Sequence, residues 1–202
     1  MKTKTKILSA SLKLFNEKGY SNVTIRMVAQ ALNMSSGNLN YHFKKREDIL
    51  EALYFEMVAE FDDRLENLVL NEMSLGVVKE KIRKRLIRMV RYRFFWTDLY
   101  NLLKLNSKIK IHFQGVYFKR YQGAEQLFDF LIKSEIMNEF KFDREKTFLI
   151  ERMISFGNTW LYNSALYDKA IDNDYLELQA NNMLAMLYPY LSNWGKQSYN
   201  KL

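Results

Sequence analysis

Pro189 is the only proline in 202 residues, and only seven glycines accompany it. A β-sandwich or an α/β sheet reverses direction at turns rich in these two residues, so this scarcity argues for helices joined by short connections. The expected fold class is all-α, in one or two domains. There is no cysteine, which excludes a disulfide framework and a thiolate metal site and gives no sign of secretion. Lysines at positions 2, 4 and 6 precede an apolar run that superficially suggests a signal peptide. Lys13 interrupts that run and no small-residue cleavage site follows, so the expected location is cytoplasmic. No stretch of about 18 uncharged apolar residues is present, so no membrane span is expected.

The most informative stretch is residues 24–43. Ile25, Val28, Ala29 and Leu32 repeat at helical spacing and give a first short helix one inward stripe. Thr24 stands at its N-cap position, with a hydroxyl able to accept from a free backbone N–H. Asn33, Met34 and Ser35 break the period, with Met34 expected to tuck into the core as the chain turns. Ser35 can then cap a second helix over residues 36–42, on which Leu39 and Phe43 are the apolar anchors. What remains on that helix is Ser36, Gly37, Asn38, Asn40, Tyr41 and His42. Such a face adds little to stability and suits the major groove of DNA. Gly37 permits close approach to the sugar–phosphate wall, asparagine can read adenine edges, and Tyr, His and Ser can donate to phosphates. A helical hairpin packed inside a larger bundle would show much the same pattern.

Charge separates these readings. Residues 1–47 hold nine Lys and Arg against Glu17 and Glu47, whereas residues 48–78 hold Arg64 against eight acids. Residues 79–120 return to thirteen bases against Glu80 and Asp98, and residues 121–202 are mildly acidic. The first basic block coincides with the two-helix stretch, where binding a phosphate backbone requires it. The second block reads as a solvated helix face partly balanced by the acidic helix before it, or as an extra anion contact.

Around this stretch the periodicity predicts a helix over 4–18, closed by Gly19, that builds a small core from Leu8, Leu12, Phe15, Val28, Leu32, Leu39 and Phe43. A long helix is expected after residues 44–47, from about residue 48 to 71, with Ile49, Leu50, Leu53, Tyr54, Met57, Phe61, Leu65 and Leu68 on its stripe. Further helices are expected over 77–95, 106–136, 143–167 and 172–188. The last two carry apolar groups on more than one face, among them Ile154, Leu161, Leu166, Leu178 and Met186, so each needs more than one neighbour. A second copy of the chain could supply it, through a bundle of two helices from each subunit.

The aromatic cluster over residues 92–100 and the helix after it read equally as plain core or as the lining of an apolar cavity. For a cavity, the candidate ligand-binding residues are Phe94, Trp96, Tyr100, His112, Phe113, Tyr117 and Trp160. Catalysis is not expected. His42 and His112 are the only histidines, and neither a phosphate-binding glycine loop nor a metal-spaced ligand set is present. No cofactor or metal is expected.

The ordered run Thr24, Val28-Ala29, Leu32, Met34-Ser35, Gly37-Asn38-Leu39, Tyr41-His42-Phe43, Arg46-Glu47 and Leu50 resembles the DNA-binding domain of the TetR family of bacterial transcriptional regulators. The resemblance implies an all-α homodimer of about nine helices. Its helix-turn-helix domain would occupy residues 1–46 and its ligand-sensing and dimerisation domain residues 47–202. It places Thr24, Ser35, Gly37, Asn38, Tyr41, His42 and Arg46 at DNA-contacting positions, with Lys45 beside the usual basic one and Ser36 on the same face. Asn40 departs from the family, which often has tyrosine there. The function expected is a ligand-responsive repressor that binds a near-palindromic double-stranded DNA operator as a homodimer and answers to a small-molecule effector. The alternative is a dimeric small-molecule-binding protein that acts without sequence-specific DNA binding.

Overall fold

The computed structural model describes residues 3–61 and 74–202. Among them are eleven α-helices: α1 (Thr3–Lys18), α2 (Ile25–Ala31), α3 (Ser36–His42), α4 (Arg46–Phe61), α5 (Leu75–Arg91), α6 (Arg93–Thr97), α7 (Leu99–Leu105), α8 (Ser107–Lys133), α9 (Glu145–Leu166), α10 (Asn173–Ala185) and α11 (Asn193–Tyr199). Short 3-10 turns lie at Tyr20–Asn22 and Tyr188–Tyr190. The all-α expectation therefore holds for the described residues. Leu65, Leu68 and the expected helix end near residue 71 lie outside them. The chain divides into two compact units. One takes in described residues 3–61 and 91–112, the other 74–90 and 113–202.

In the first unit, α1 buries Ile7, Ser11 and Phe15 at intervals of one helical turn. Gly19 then takes a φ of 78° with an extended ψ of 149°, a positive-φ conformation that glycine adopts without steric cost and that turns the chain out of the helix. Val28, Ala29, Leu39, Phe43, Ile49, Leu50 and Leu53 complete a core with α2, α3 and α4. Leu8, Leu12 and Leu32 are only half-buried, and so is Met34, which the sequence placed in the core. The turn is closed by backbone groups instead. The Met34 N–H donates to the Ala29 carbonyl at 3.0 Å, and Asn33 takes a φ of 52°, a region asparagine tolerates.

The helix expected over 77–95 is broken. α5 ends at Arg91, Tyr92 leaves helical geometry with φ −112° and ψ 38°, and α6 begins at Arg93. Two side chains of the first unit explain the break. The Asn16 amide on α1 donates to the Arg91 carbonyl at 2.8 Å and accepts from the Phe94 N–H at 3.1 Å, so it satisfies backbone groups that a through-going helix would pair internally. Tyr92 is buried, and its hydroxyl donates to Glu60 at 2.7 Å. Burial first, then that bond and the Glu60 charge, push the phenol well above its ordinary range. Phe94 stacks obliquely on Phe15 with ring centroids 5.3 Å apart. α7 and α11 also go beyond the sequence expectation. Each is seven residues long.

Glu51 on α4 makes an ion pair with Lys108 and accepts from Asn106 Nδ2 at 3.2 Å. The Lys108 bond, followed by the Asn106 bond, holds its carboxyl below the ordinary value of 4.5. A carboxylate depressed in the folded state contributes stability above its unfolded pKa and loses it as pH falls through the folded one. Glu51→Gln is therefore expected to cost stability at neutral pH and to flatten the loss on acidification below 4.5. Urea midpoints of the two proteins across that range test this, and parallel pH profiles would reject it.

In the second unit α5 buries Leu75, Val78, Ile82, Leu86 and Met89, α9 buries Leu149, Ile150, Trp160 and Leu161, and α10 buries Leu176, Ala180 and Leu184. The Trp160 indole N–H points at the Met89 sulfur at 3.4 Å. Ser164 donates to the Trp160 carbonyl at 2.7 Å and shares a hydrogen bond with the Tyr175 hydroxyl at 2.9 Å. Part of the second basic block is balanced from α10, where Glu177 meets Lys79 at 2.6 Å and Arg83 at 3.5 Å. No described helix is long and apolar enough to cross a membrane.

Candidate nucleic-acid interface

α2 and α3 form the expected pair, and side chains cap both. Thr24 Oγ1 accepts from the Met27 N–H and Ser35 Oγ from the Asn38 N–H, each at 3.2 Å. A hydroxyl cap contributes about 1 kcal/mol, which matters for helices of seven residues that are marginal on their own. Leu39 is the buried residue of α3, and the Phe43 ring anchors its end, with the Lys4 ammonium 5.3 Å from the ring centroid. That fixes which way the helix faces.

Ser36, Gly37, Asn38, Asn40 and Tyr41 are all exposed, Tyr41 at 85%. Among the described residues Tyr41 is the most exposed of the large aromatic side chains. His42 is half-buried, and its ring stands edge-on to Tyr41 at 5.2 Å. Lys44 and Lys45 are exposed directly after α3, and Arg26 is exposed on α2. The Lys45 N–H is held by Asp48 Oδ2 at 3.1 Å, the reciprocal half of a capping box that starts α4. Ser35, Ser36, Gly37, Asn38, Asn40 and Tyr41 thus form an open, polar stretch at α3, Lys45 is exposed just beyond its end, and Thr24 serves as a cap.

Arg46 is placed differently. Its Nη1 donates to the carbonyls of Tyr20, Ser21 and Val23 at 3.0, 3.2 and 2.8 Å. Its guanidinium lies 4.1 Å from the centroid of the Tyr20 ring. Burial raises the Tyr20 phenol above its ordinary range; the Glu47 charge adds to that rise, while the Arg46 charge opposes it. Nothing in the spacing of Tyr20 and Arg46 signals this contact; only the packing of α1, the turn and α4 creates it.

The seven candidate ligand-binding residues fall in both units. In the first, Phe94 and Trp96 are core. His112 Nδ1 is hydrogen-bonded to the Tyr54 hydroxyl at 2.9 Å, and Tyr100 is 70% exposed with the Lys104 ammonium 4.4 Å from its ring centroid. In the second, Trp160 is buried, Phe113 half-buried with Arg120 over its face, and Tyr117 partly exposed beside Phe118. Two surface grooves, one of about 380 Å³ along α1 beside Asn16, Arg91 and Arg93 and one of about 550 Å³ at the start of α5, include none of the seven.

Comparison with known proteins agrees with this geometry. The family description "Bacterial regulatory proteins, tetR family" matches residues 7–53, and "Bacterial transcriptional repressor" matches residues 56–199. The chain is 26% identical over 168 residues to the biofilm operon icaADBC HTH-type negative transcriptional regulator IcaR of Staphylococcus epidermidis, covering 82% of this chain and 86% of that one. It is also 26% identical over 91 residues to the probable HTH-type transcriptional regulator YttP of Bacillus subtilis, a match spanning 45% of this chain and 44% of that relative. In fold it is similar to a TetR-family transcriptional regulator from Marinobacter aquaeolei, with a TM-score of 0.84, 23% identity and coverage of 100% and 97% of the two chains. With these two family descriptions matching residues 7–53 and 56–199, the chain belongs to the TetR family of bacterial transcriptional regulators.

Proposed function

We propose that this regulator is a cytoplasmic repressor that acts as a homodimer and sets two copies of α3 into successive major grooves, about one helical turn apart, of a near-palindromic operator. The single observation that carries this reading is the exposed polar face of α3, with Tyr41 at 85%. Ser35, Ser36, Gly37, Asn38, Tyr41 and His42 form the contact surface, Thr24 adds its hydroxyl, and Lys45 supplies phosphate neutralisation. α9 and α10 support the dimer. Phe148, Tyr162 and Leu166 stand exposed on α9 and Leu178 on α10, an apolar set that a second copy can cover with its own. A small molecule held among the aromatic residues of the C-terminal region would favour one dimer arrangement and so change operator affinity. The chemistry of this reading is binding, with no catalytic step.

The test is fluorescence anisotropy with the duplex upstream of the chain's own gene, over a series of salt concentrations. Tight binding that weakens steeply with salt is the expected result, because phosphate contacts release counterions. Failure to retain duplex DNA of any sequence at low salt would reject the repressor and favour a small-molecule-binding dimer.

A further inference from the structure

We propose that Arg46 is a positioning residue for operator recognition and not a phosphate contact: it clasps the chain entering α2 to the start of α4 and so fixes how α3 is presented. This rests on the reading of α3 as the DNA-facing helix. Arg46 is the first residue of α4, and the carbonyls it binds belong to Tyr20, Ser21 and Val23, all between the end of α1 and the Thr24 cap. The helix-turn-helix pair lies in the loop of chain that this clasp closes. Tyr20 and Val23 are 1% and 0% exposed, so the carbonyls sit on a rigid floor. The Tyr20 ring under the guanidinium, with its hydroxyl directed to Glu47 Oε1 at 3.4 Å, holds the planar group from one side. A planar, permanently charged donor suits converging carbonyls and an aromatic face together, and an ammonium does not. The Nη1 hydrogens are taken up by these carbonyls, which anchors the guanidinium on the protein's own backbone. Lys44 and Lys45, exposed on the neighbouring residues, are open to a phosphate.

The two roles separate on substitution. A phosphate contact is largely kept by lysine and lost with alanine; a clasp is lost with both. Arg46→Lys and Arg46→Ala are each expected to weaken binding of the full-length chain to its upstream duplex at least tenfold, by similar factors. Lys45→Ala should instead lower the slope of log affinity against log salt by about 0.9 for each phosphate contact removed. Near-native affinity for Arg46→Lys, with Arg46→Ala lowering the salt slope as Lys45→Ala does, would overturn the proposal. Hydrogen exchange of the DNA-free proteins gives a second reading that stands even if the duplex is not bound. Arg46→Lys should speed exchange at Val28, Leu39 and Phe43 at least tenfold and leave the α9 amides unchanged. Unchanged exchange at those three sites, or an equal rise in α9, would show that no local clasp exists.

Discussion

Tyr41→Ala and Asn38→Ala are each expected to abolish specific operator binding and leave the fold intact. Both side chains are exposed on α3, and the backbone N–H of Asn38 keeps its bond to Ser35 whatever side chain it carries. Truncating exposed residues on a helix costs little stability, typically within about 0.5 kcal/mol, and alanine has the higher helix propensity in both cases. The loss on DNA is larger. A well-formed side chain to base contact discriminates by about 1–3 kcal/mol, and a symmetric dimer makes it twice. A loss of at least about thirtyfold follows for a base-reading residue. Weak salt-dependent binding should persist, because the exposed Lys44, Lys45 and Arg26 still attract the backbone. Anisotropy on the upstream duplex, with thermal melts of the same preparations, separates the two effects. Unchanged affinity in both variants would reject the assignment of this surface.

The sequence disclosed the helix pair because its signals are local. Thr24 and Ser35 announce caps, Leu39 and Phe43 mark the buried side, and what remains on α3 is polar by elimination. All of this lies within twenty residues, and the structure keeps it. What sequence could not show depends on partners far along the chain. Residues 77–95 have an unbroken helical pattern, yet Asn16, some 75 positions earlier, holds the backbone groups that break it at Tyr92. Arg46 carries the basic character of a phosphate contact, and only packing brings three carbonyls 23 to 26 positions away to its guanidinium. The aromatic residues stayed ambiguous for another reason: core and cavity linings use the same side chains. Phe94, Trp96 and Trp160 are buried in their own units, while Tyr100 points outward.

Gly195→Ala is expected to be the most destabilising single methyl in the second unit. A Cβ on Gly195 would stand 2.1 Å from the Ile136 carbonyl oxygen and 3.2 Å from its carbon. That carbonyl cannot yield, because it accepts from the Ser192 N–H at 3.0 Å. The same turn is tied to α11 by Ser192 Oγ donating to the Glu135 carbonyl at 2.7 Å, by Asn138 Nδ2 donating to the Leu191 carbonyl at 3.0 Å, and by the Met137–Leu191 bridge. Relieving the overlap means lifting α11 and loosening those bonds together. Overpacking of this kind costs about 2–3 kcal/mol, a fall of roughly 5–10 °C in melting temperature for a chain of this size. Gly115→Ala and Gly123→Ala supply the control, since nothing lies within 4 Å of a Cβ at either site on α8. There the same methyl only restricts the unfolded backbone and improves helix propensity, so each should stabilise by about 0.5–1 kcal/mol. Opposite signs for one chemical change, read by thermal melts of the three variants, would show that close backbone approach fixes glycine at 195. A Gly195→Ala protein that melts with the wild type would mean α11 is not seated on residues 135–138.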